Sequence, residues 1–186
     1  MNYLVHPAIK ICVAALHRGA VIAYPTEAVW GLGCDPWNQH AVQRILQLKK
    51  RHIDKGLIIV AANTAQIAWL LEGLDSNQHQ QLLETWPGPN TWLVPHHNRL
   101  PRCVHGVHDT IAVRVSAHPV VKALCEGFGG PIVSTSANPQ ALKPARSSTD
   151  VRRYFGKRVE YAAGRIGASA SPSVIRDLRT GRVIRA

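Results

Sequence analysis

Five short apolar runs, each stopped by proline, glycine or a polar cluster, dictate what this chain can become. Ala20 to Pro25 reads AVIAYP, Leu57 to Ala62 LIIVAA, Thr91 to Pro95 TWLVP, Thr110 to Val115 TIAVRV and Pro131 to Ser136 PIVSTS. Runs of this length, rich in β-branched side chains and bounded by breakers, are the pattern of buried strands. Helical patterns lie between them. Pro7 to Arg18 has helical apolar spacing and Gly19 to end it. Asn38 is placed to cap a helix carrying Ala41, Val42, Ile45 and Leu48 on one face. Asn63 or Thr64 caps a helix through about Leu71, a polar helix runs from Ser76 to Thr85, Pro119 opens one that ends near Gly127, and Ser148 or Thr149 starts one reaching Phe155. Strands SVIRD and RVIR close the chain around the turn Arg179-Thr180-Gly181. Strands alternating with helices predict an α/β fold on a mixed sheet.

The 186 residues are enough for one sizeable core, and one domain over 1–186 is expected. No apolar run reaches the roughly 18 residues of a spanning helix, and MNYLVHPAIK lacks the pattern of a signal peptide, so a soluble, cytoplasmic protein is expected. Cys12, Cys34, Cys103 and Cys125 form no C-x-x-C pair and read as reduced thiols. The formal charge of +11 favours anionic partners, nucleotide or RNA.

LKKRHIDKGLIIV, Leu48 to Val60, concentrates Lys49, Lys50, Arg51 and Lys55 before a buried strand. Lysines at a helix end ordinarily face the carboxyl dipole from solvent. Cations between a helix and a strand are also where an α/β fold receives a phosphate. PIVSTSAN puts Ser134, Thr135, Ser136 and Asn138 at a strand exit, as hydrogen-bonding groups for a ligand or as a capped turn. Arg114 sits among apolar strand residues and needs a partner, either a ligand anion or an acid such as Asp109 or Glu27. YPTEAVWGLG reads as a glycine loop leaving a strand, with Gly31 and Gly33 permitting close approach. His96, His97, Cys103, His105, His108 and Asp109 match no zinc spacing, and a surface loop is expected there.

These stretches, in this order, resemble the YrdC/TsaC family of threonylcarbamoyl-AMP synthases. The resemblance rests on VIAYPTEAVWGLGCDP, LKKRHIDKGLIIV, WPGPNTWLV, IAVRVSAHP, IVSTSAN, PSVIRD and RVIR. It implies a twisted open sheet around a large basic concave cavity. It implies a nucleotidyltransferase that joins ATP, L-threonine and bicarbonate into threonylcarbamoyl-AMP and pyrophosphate, with Mg²⁺ on the phosphates. The product would pass to a transferase complex that modifies adenosine 37 of tRNA, and direct binding of tRNA or double-stranded RNA is a further implied partner. The family's Lys-x-Arg and Ser-x-Asn motifs fall on Lys49, Arg51, Ser136 and Asn138, which the resemblance makes catalytic. By the same resemblance Lys55, Thr110 and Arg185 join Arg51 and Ser136 around ATP. Thr26, Arg114, Ser134 and Ser173 match threonine-pocket positions, beside Glu27. Ala28, Val60, His52 and the run Pro139-Gln140-Ala141 depart from the usual family residues. Two other readings are carried forward: a non-catalytic RNA-binding module that stacks bases on Trp30, Trp37, Trp86 and Trp92, and carbamoyl-adenylate chemistry like that of the YrdC-like domain of HypF.

Overall fold

The computed structural model describes residues 2–169, 171 and 173–185; Pro172 of the PSVIRD motif lies outside them. The strands are β1 (Ile22–Pro25), β2 (Trp30–Gly33), β3 (Ile58–Ala61), β4 (Asn90–Pro95), β5 (Thr110–Val115), β6 (Ile132–Ser136), β7 (Glu160–Tyr161), β8 (Val174–Asp177) and β9 (Val183–Arg185). They form one mixed sheet in the order β7-β1-β2-β6-β3-β5-β4-β8-β9. The helices are α1 (Pro7–His17), α2 (Gln39–Lys49), α3 (Ala68–Leu71), α4 (Ser76–Thr85), α5 (Arg102–His105), α6 (Pro119–Phe128) and α7 (Ser148–Phe155). The α/β architecture and mixed sheet agree with the sequence pattern.

Alternation along the strands decides where the site lies. One side chain set, including Ala23, Ile59, Ile111, Val113 and Val133, is buried in a large cluster with residues of α2, α3 and α7. The alternate set faces the other way. Ile22, Tyr24, Val60 and Ile132 are sealed there by Ile9, Cys12 and Leu16 of α1 and Val120, Val121 and Leu124 of α6. The pair α1 and α6 covers only part of that second face. Ile58, Ala112 and Ser134, which stand level with one another in the paired strands, line open pockets instead. The cleft is thus the uncovered portion of a sheet face.

Local chemistry fixes the element ends. The Asn38 carboxamide accepts the Ala41 N–H at 3.1 Å to start α2, as expected. Asp75 with Gln78, and Ser147 with Asp150, form capping boxes on α4 and α7, and α7 starts at Ser148 and ends at Phe155 as expected. Lys50 ends α2 at a φ of 52°, and the Arg51 side chain that follows reaches the Lys55 and Gly56 carbonyls.

Several expectations need correction. Trp30 to Gly33 is strand β2 rather than a loop, antiparallel to both β1 and β6. Gly33 serves packing: a Cβ there would lie 2.6 Å from the Val133 carbonyl oxygen and 2.8 Å from the Tyr24 ring. Gly33→Ala is accordingly expected to cost about 2 kcal/mol of stability through overpacking, read as a lower urea midpoint; an unchanged midpoint would contradict this packing. The segment from Thr64 begins as a 3-10 helix, Thr64–Ile67, before α3. The expected histidine-rich surface loop contains α5, anchored by buried Cys103 and Val104. Strand β7 was not anticipated; two residues carry no readable alternation. All four cysteines are buried and unpaired by disulfides.

Candidate active site

The end of β6 and the end of α2 meet in a clamp. The Lys49 ammonium, though on a helix end, is buried. It donates to the backbone carbonyls of Ser136 and of Asn138, the latter at 3.0 Å, and approaches Ser136 Oγ and Asn138 Oδ1 at 3.4 Å each. The Lys49 carbonyl in turn accepts the Gln140 N–H at 2.7 Å. Burial, assisted by the charge of Arg51, pulls the Lys49 ammonium down to about 8. The Lys49, Ser136 and Asn138 side chains predicted from separate motifs therefore form one polar knot. Asn138 completes it by donating its carboxamide N–H to the Leu142 carbonyl at 2.7 Å. The segment 139–147 is tied down here and again where Trp30 N–H donates to the carbonyl of buried Ala145.

Arg51 braces the turn that follows. Its Nε and Nη2 donate to the Gly56 carbonyl at 3.1 and 2.9 Å, and Nη2 to the Lys55 carbonyl at 3.2 Å. Arg51, exposed Lys55 and Thr110 line an outer pocket of about 250 Å³ whose floor is apolar, including Ile58, Leu93, Ala112 and Ile175. An inner pocket adjoins it at the shared residues Ile58 and Thr135, and is lined by Thr26, Glu27, Arg114, Ser134, Ser136, Ser173 and Arg185. Cations run along both. Burial first, then Arg185, lowers the pKa of Arg51; burial first, then Arg114, lowers that of Arg185. Lys49, Arg51, Arg185 and Arg114 are therefore electrostatic neighbours in sequence. Glu27 is the one carboxylate among the described residues lining either pocket. Mutually repelling cations on an uncovered sheet face favour an anion with several charges.

Of the two acids considered for Arg114, Glu27 is its partner: Nη2 stands 3.2 Å from Oε2. Asp109 pairs instead with Arg179 at 2.7 Å. Thr26 donates its hydroxyl to the Val29 carbonyl at 2.7 Å, holding the β1–β2 turn against the inner pocket. Ser173 shares a 2.7 Å hydroxyl hydrogen bond with Thr91, and its carbonyl accepts Arg185 Nη2 at 3.2 Å. Ser134 and Ser136 both line the inner pocket, as strand alternation predicts. Ala28 lines that pocket too, whereas Val60 is fully buried beneath α6.

Thr135, one of the polar residues expected at the β6 exit, lies where the two pockets meet. His105 and His108, which the sequence did not assign to this site, border the outer pocket. The signal was the run HGVHD immediately before TIAVRV, which places both imidazoles at the start of β5. His105 stacks on His96 with ring centroids 3.9 Å apart, and burial followed by that neighbour lowers its pKa. No group of three or more His, Cys, Asp or Glu poised for a metal occurs among the described residues. Of the four tryptophans proposed as stacking platforms, Trp30, Trp86 and Trp92 are buried and only Trp37 is exposed.

The family model Sua5_yciO_yrdC, described as telomere recombination, matches residues 14–186. The chain belongs to this family. A Sua5/YciO/YrdC relative from Saccharophagus degradans, a threonylcarbamoyl-AMP synthase by name, is 59% identical over 186 residues, covering 100% of this chain and 97% of its own. One of the same name from Pseudomonas aeruginosa is 56% identical over 176 residues, covering 94% and 95%. The structure of P. abyssi Sua5 complexed with L-threonine superposes with a TM-score of 0.87 at 31% identity; the match covers 94% of this chain and 52% of that one, so the present chain spans about half its length. E. coli YciO shares the fold, with a TM-score of 0.82 at 24% identity over 95% of this chain and 87% of its own.

Proposed function

We propose that this Sua5/YciO/YrdC protein is an enzyme, an L-threonylcarbamoyladenylate synthase, that makes threonylcarbamoyl-AMP and pyrophosphate from ATP, L-threonine and bicarbonate or CO₂. The observation that carries the reading is the succession of Arg51, Arg185 and Arg114 along two adjoining pockets lined by one carboxylate, with the buried Lys49 ammonium beside Arg51 holding the strand exit that carries Ser136. The relatives' names and the threonine complex support the choice of reaction.

The outer pocket takes ATP, with its base over the apolar floor and its phosphates toward Arg51, Lys55 and Arg185. The inner pocket takes threonine, its carboxylate toward Arg114. Threonine's neutral amine adds to CO₂ and gives up a proton to solvent, leaving a carbamate whose oxygen attacks the α-phosphorus; the bond from the α-phosphorus to the oxygen bridging to the β-phosphate breaks and pyrophosphate leaves. Charge accumulates on phosphoryl oxygens in that step, and pre-placed cations lower its barrier because they need no reorganisation. Lys49 contributes by holding Ser136 and Asn138 at the junction. Mg²⁺ travels with the ATP phosphates in this reading, because Mg²⁺ is commonly carried by phosphates with few protein ligands.

No helix among the described residues is long and apolar enough to cross a membrane. We place the protein in the cytoplasm, handing its product to the complex that threonylcarbamoylates adenosine 37 of tRNA. The assay that tests the reaction supplies ATP, Mg²⁺, bicarbonate and labelled threonine. Pyrophosphate is expected in step with labelled threonylcarbamoyl-AMP. Pyrophosphate release that requires carbamoyl phosphate and ignores threonine would transfer the reading to HypF-like chemistry.

A further inference from the structure

The inner pocket holds two polar atoms that its own residues leave unanswered. Glu27 Oε2 and Arg114 Nε are buried and make no hydrogen bond among the described residues. The Arg114 and Glu27 side chains are only 9% and 14% exposed. Their ion pair at 3.2 Å brings opposite charges together without the alignment of a hydrogen bond. A bidentate arginine–carboxylate pair would have used both forks; this one leaves one acceptor and one donor without a partner among the described residues.

The carboxylate is held firmly from its other side. Oε1 accepts the hydroxyl of fully buried Ser116 at 2.6 Å, and Ser116 Oγ accepts the His118 N–H at 3.1 Å. The Glu27 carbonyl accepts the Ser169 N–H at 3.1 Å. Gly167 lies so close that a Cβ there would stand 2.9 Å from the same carbonyl oxygen. Backbone and Oε1 are thus fixed, and Oε2 is the atom left over. An unmet buried acceptor costs stability unless something else occupies it in the working state.

A ligand that answers both atoms at once carries a cationic donor and an anionic acceptor on adjacent atoms. The α-carbon of a zwitterionic amino acid presents that pair. We infer that Glu27 Oε2 receives the α-ammonium of the bound amino acid while Arg114 receives its carboxylate. Glu27 is then the residue that makes the pocket select an α-amino acid over the corresponding 2-hydroxy acid. This deepens the proposed function and rests on it for the identity of the amino acid. The competing role for Glu27 is a brace that merely orients Arg114. A brace would serve any carboxylate ligand equally, whether or not it bears an amine.

Calorimetric titration of the full chain with L-threonine and with 2,3-dihydroxybutanoate, which replaces the ammonium by a hydroxyl, separates the two. The parent protein is expected to bind threonine at least 30-fold more tightly, in line with roughly 10- to 100-fold for a hydrogen bond between charged groups. Glu27→Gln, nearly isosteric, is expected to weaken threonine by about that factor and to change dihydroxybutanoate by less than about threefold, while Glu27→Asp retains part of the preference. Equal weakening of both ligands in Glu27→Gln would overturn the inference in favour of the brace. Equal binding of the two ligands by the parent protein would overturn it without any variant, so a misfolded Glu27→Gln leaves the test intact. A parent protein that prefers threonine as expected yet releases no threonine-dependent pyrophosphate would overturn the proposed reaction and leave this inference standing.

Discussion

Arg51→Ala is expected to weaken ATP binding about 100-fold and slow threonine-dependent pyrophosphate release by at least as much. Its guanidinium lies at the outer pocket, half-buried and next in line to both Lys49 and Arg185. Two effects combine. The substitution removes a charge that burial and Arg185 already disfavour, which only a polyanion compensates. It also frees the Lys55 and Gly56 carbonyls, so the turn carrying Lys55 loses its brace. Arg51→Lys separates them, because a lysine restores charge without the planar fork. It is expected to recover only part of the affinity. Threonine affinity in the absence of ATP is expected to change less than about threefold in Arg51→Ala, because Arg114 holds that ligand. Parallel titrations with ATP and threonine read both effects.

Lys49→Met carries the second large effect, and it reaches stability as well as turnover. The methionine keeps the apolar stem but leaves the Ser136 and Asn138 carbonyls without their shared donor. Losing charged hydrogen bonds at a buried junction is expected to cost about 2–3 kcal/mol and to lower turnover about 1,000-fold through misplaced Ser136 and Asn138. Chemical denaturation and the pyrophosphate assay read the two losses separately. The same residue gives a pH signature. Burial sets the Lys49 ammonium at about 8, so it is charged at pH 7 and mostly neutral at pH 9. A triphosphate favours the charged form. ATP affinity is therefore expected to be flat near pH 7, to fall as pH rises through about 8, and to couple to proton uptake in that window. Lys49→Met should lack this step. Titration in buffers of different ionisation enthalpy checks it.

The fold was legible wherever a strand carried its own apolar run. Leu57 to Ala62, TIAVRV and PIVSTS announce buried strands because each is sealed on at least one face by the main core. Trp30 to Gly33 was misread because its glycines suppress strand propensity, and only the Tyr24 ring and the Val133 carbonyl explain why glycine is needed. The site was legible as residue types and not as geometry. Alternation placed Ser134 and Ser136 on one side, and charge marked Lys49 and Arg51. That the Lys49 ammonium turns inward onto two carbonyls depends on the left-handed turn at Lys50 and the path of 136–140, which no local pattern encodes. The sequence left Asp109 and Glu27 equally eligible for Arg114. The choice follows from the turn between β1 and β2, which sets Glu27 beside the strand bearing Arg114.

Titration of the parent protein with ATP and with adenosine, at two salt concentrations, bears most directly on the four cations. Cations assembled for a triphosphate predict ATP binding at least 100-fold tighter than adenosine, with a margin that narrows as salt rises. Equal affinity for the two ligands, unchanged by salt, would contradict the assignment of this cleft to a nucleotide's phosphates.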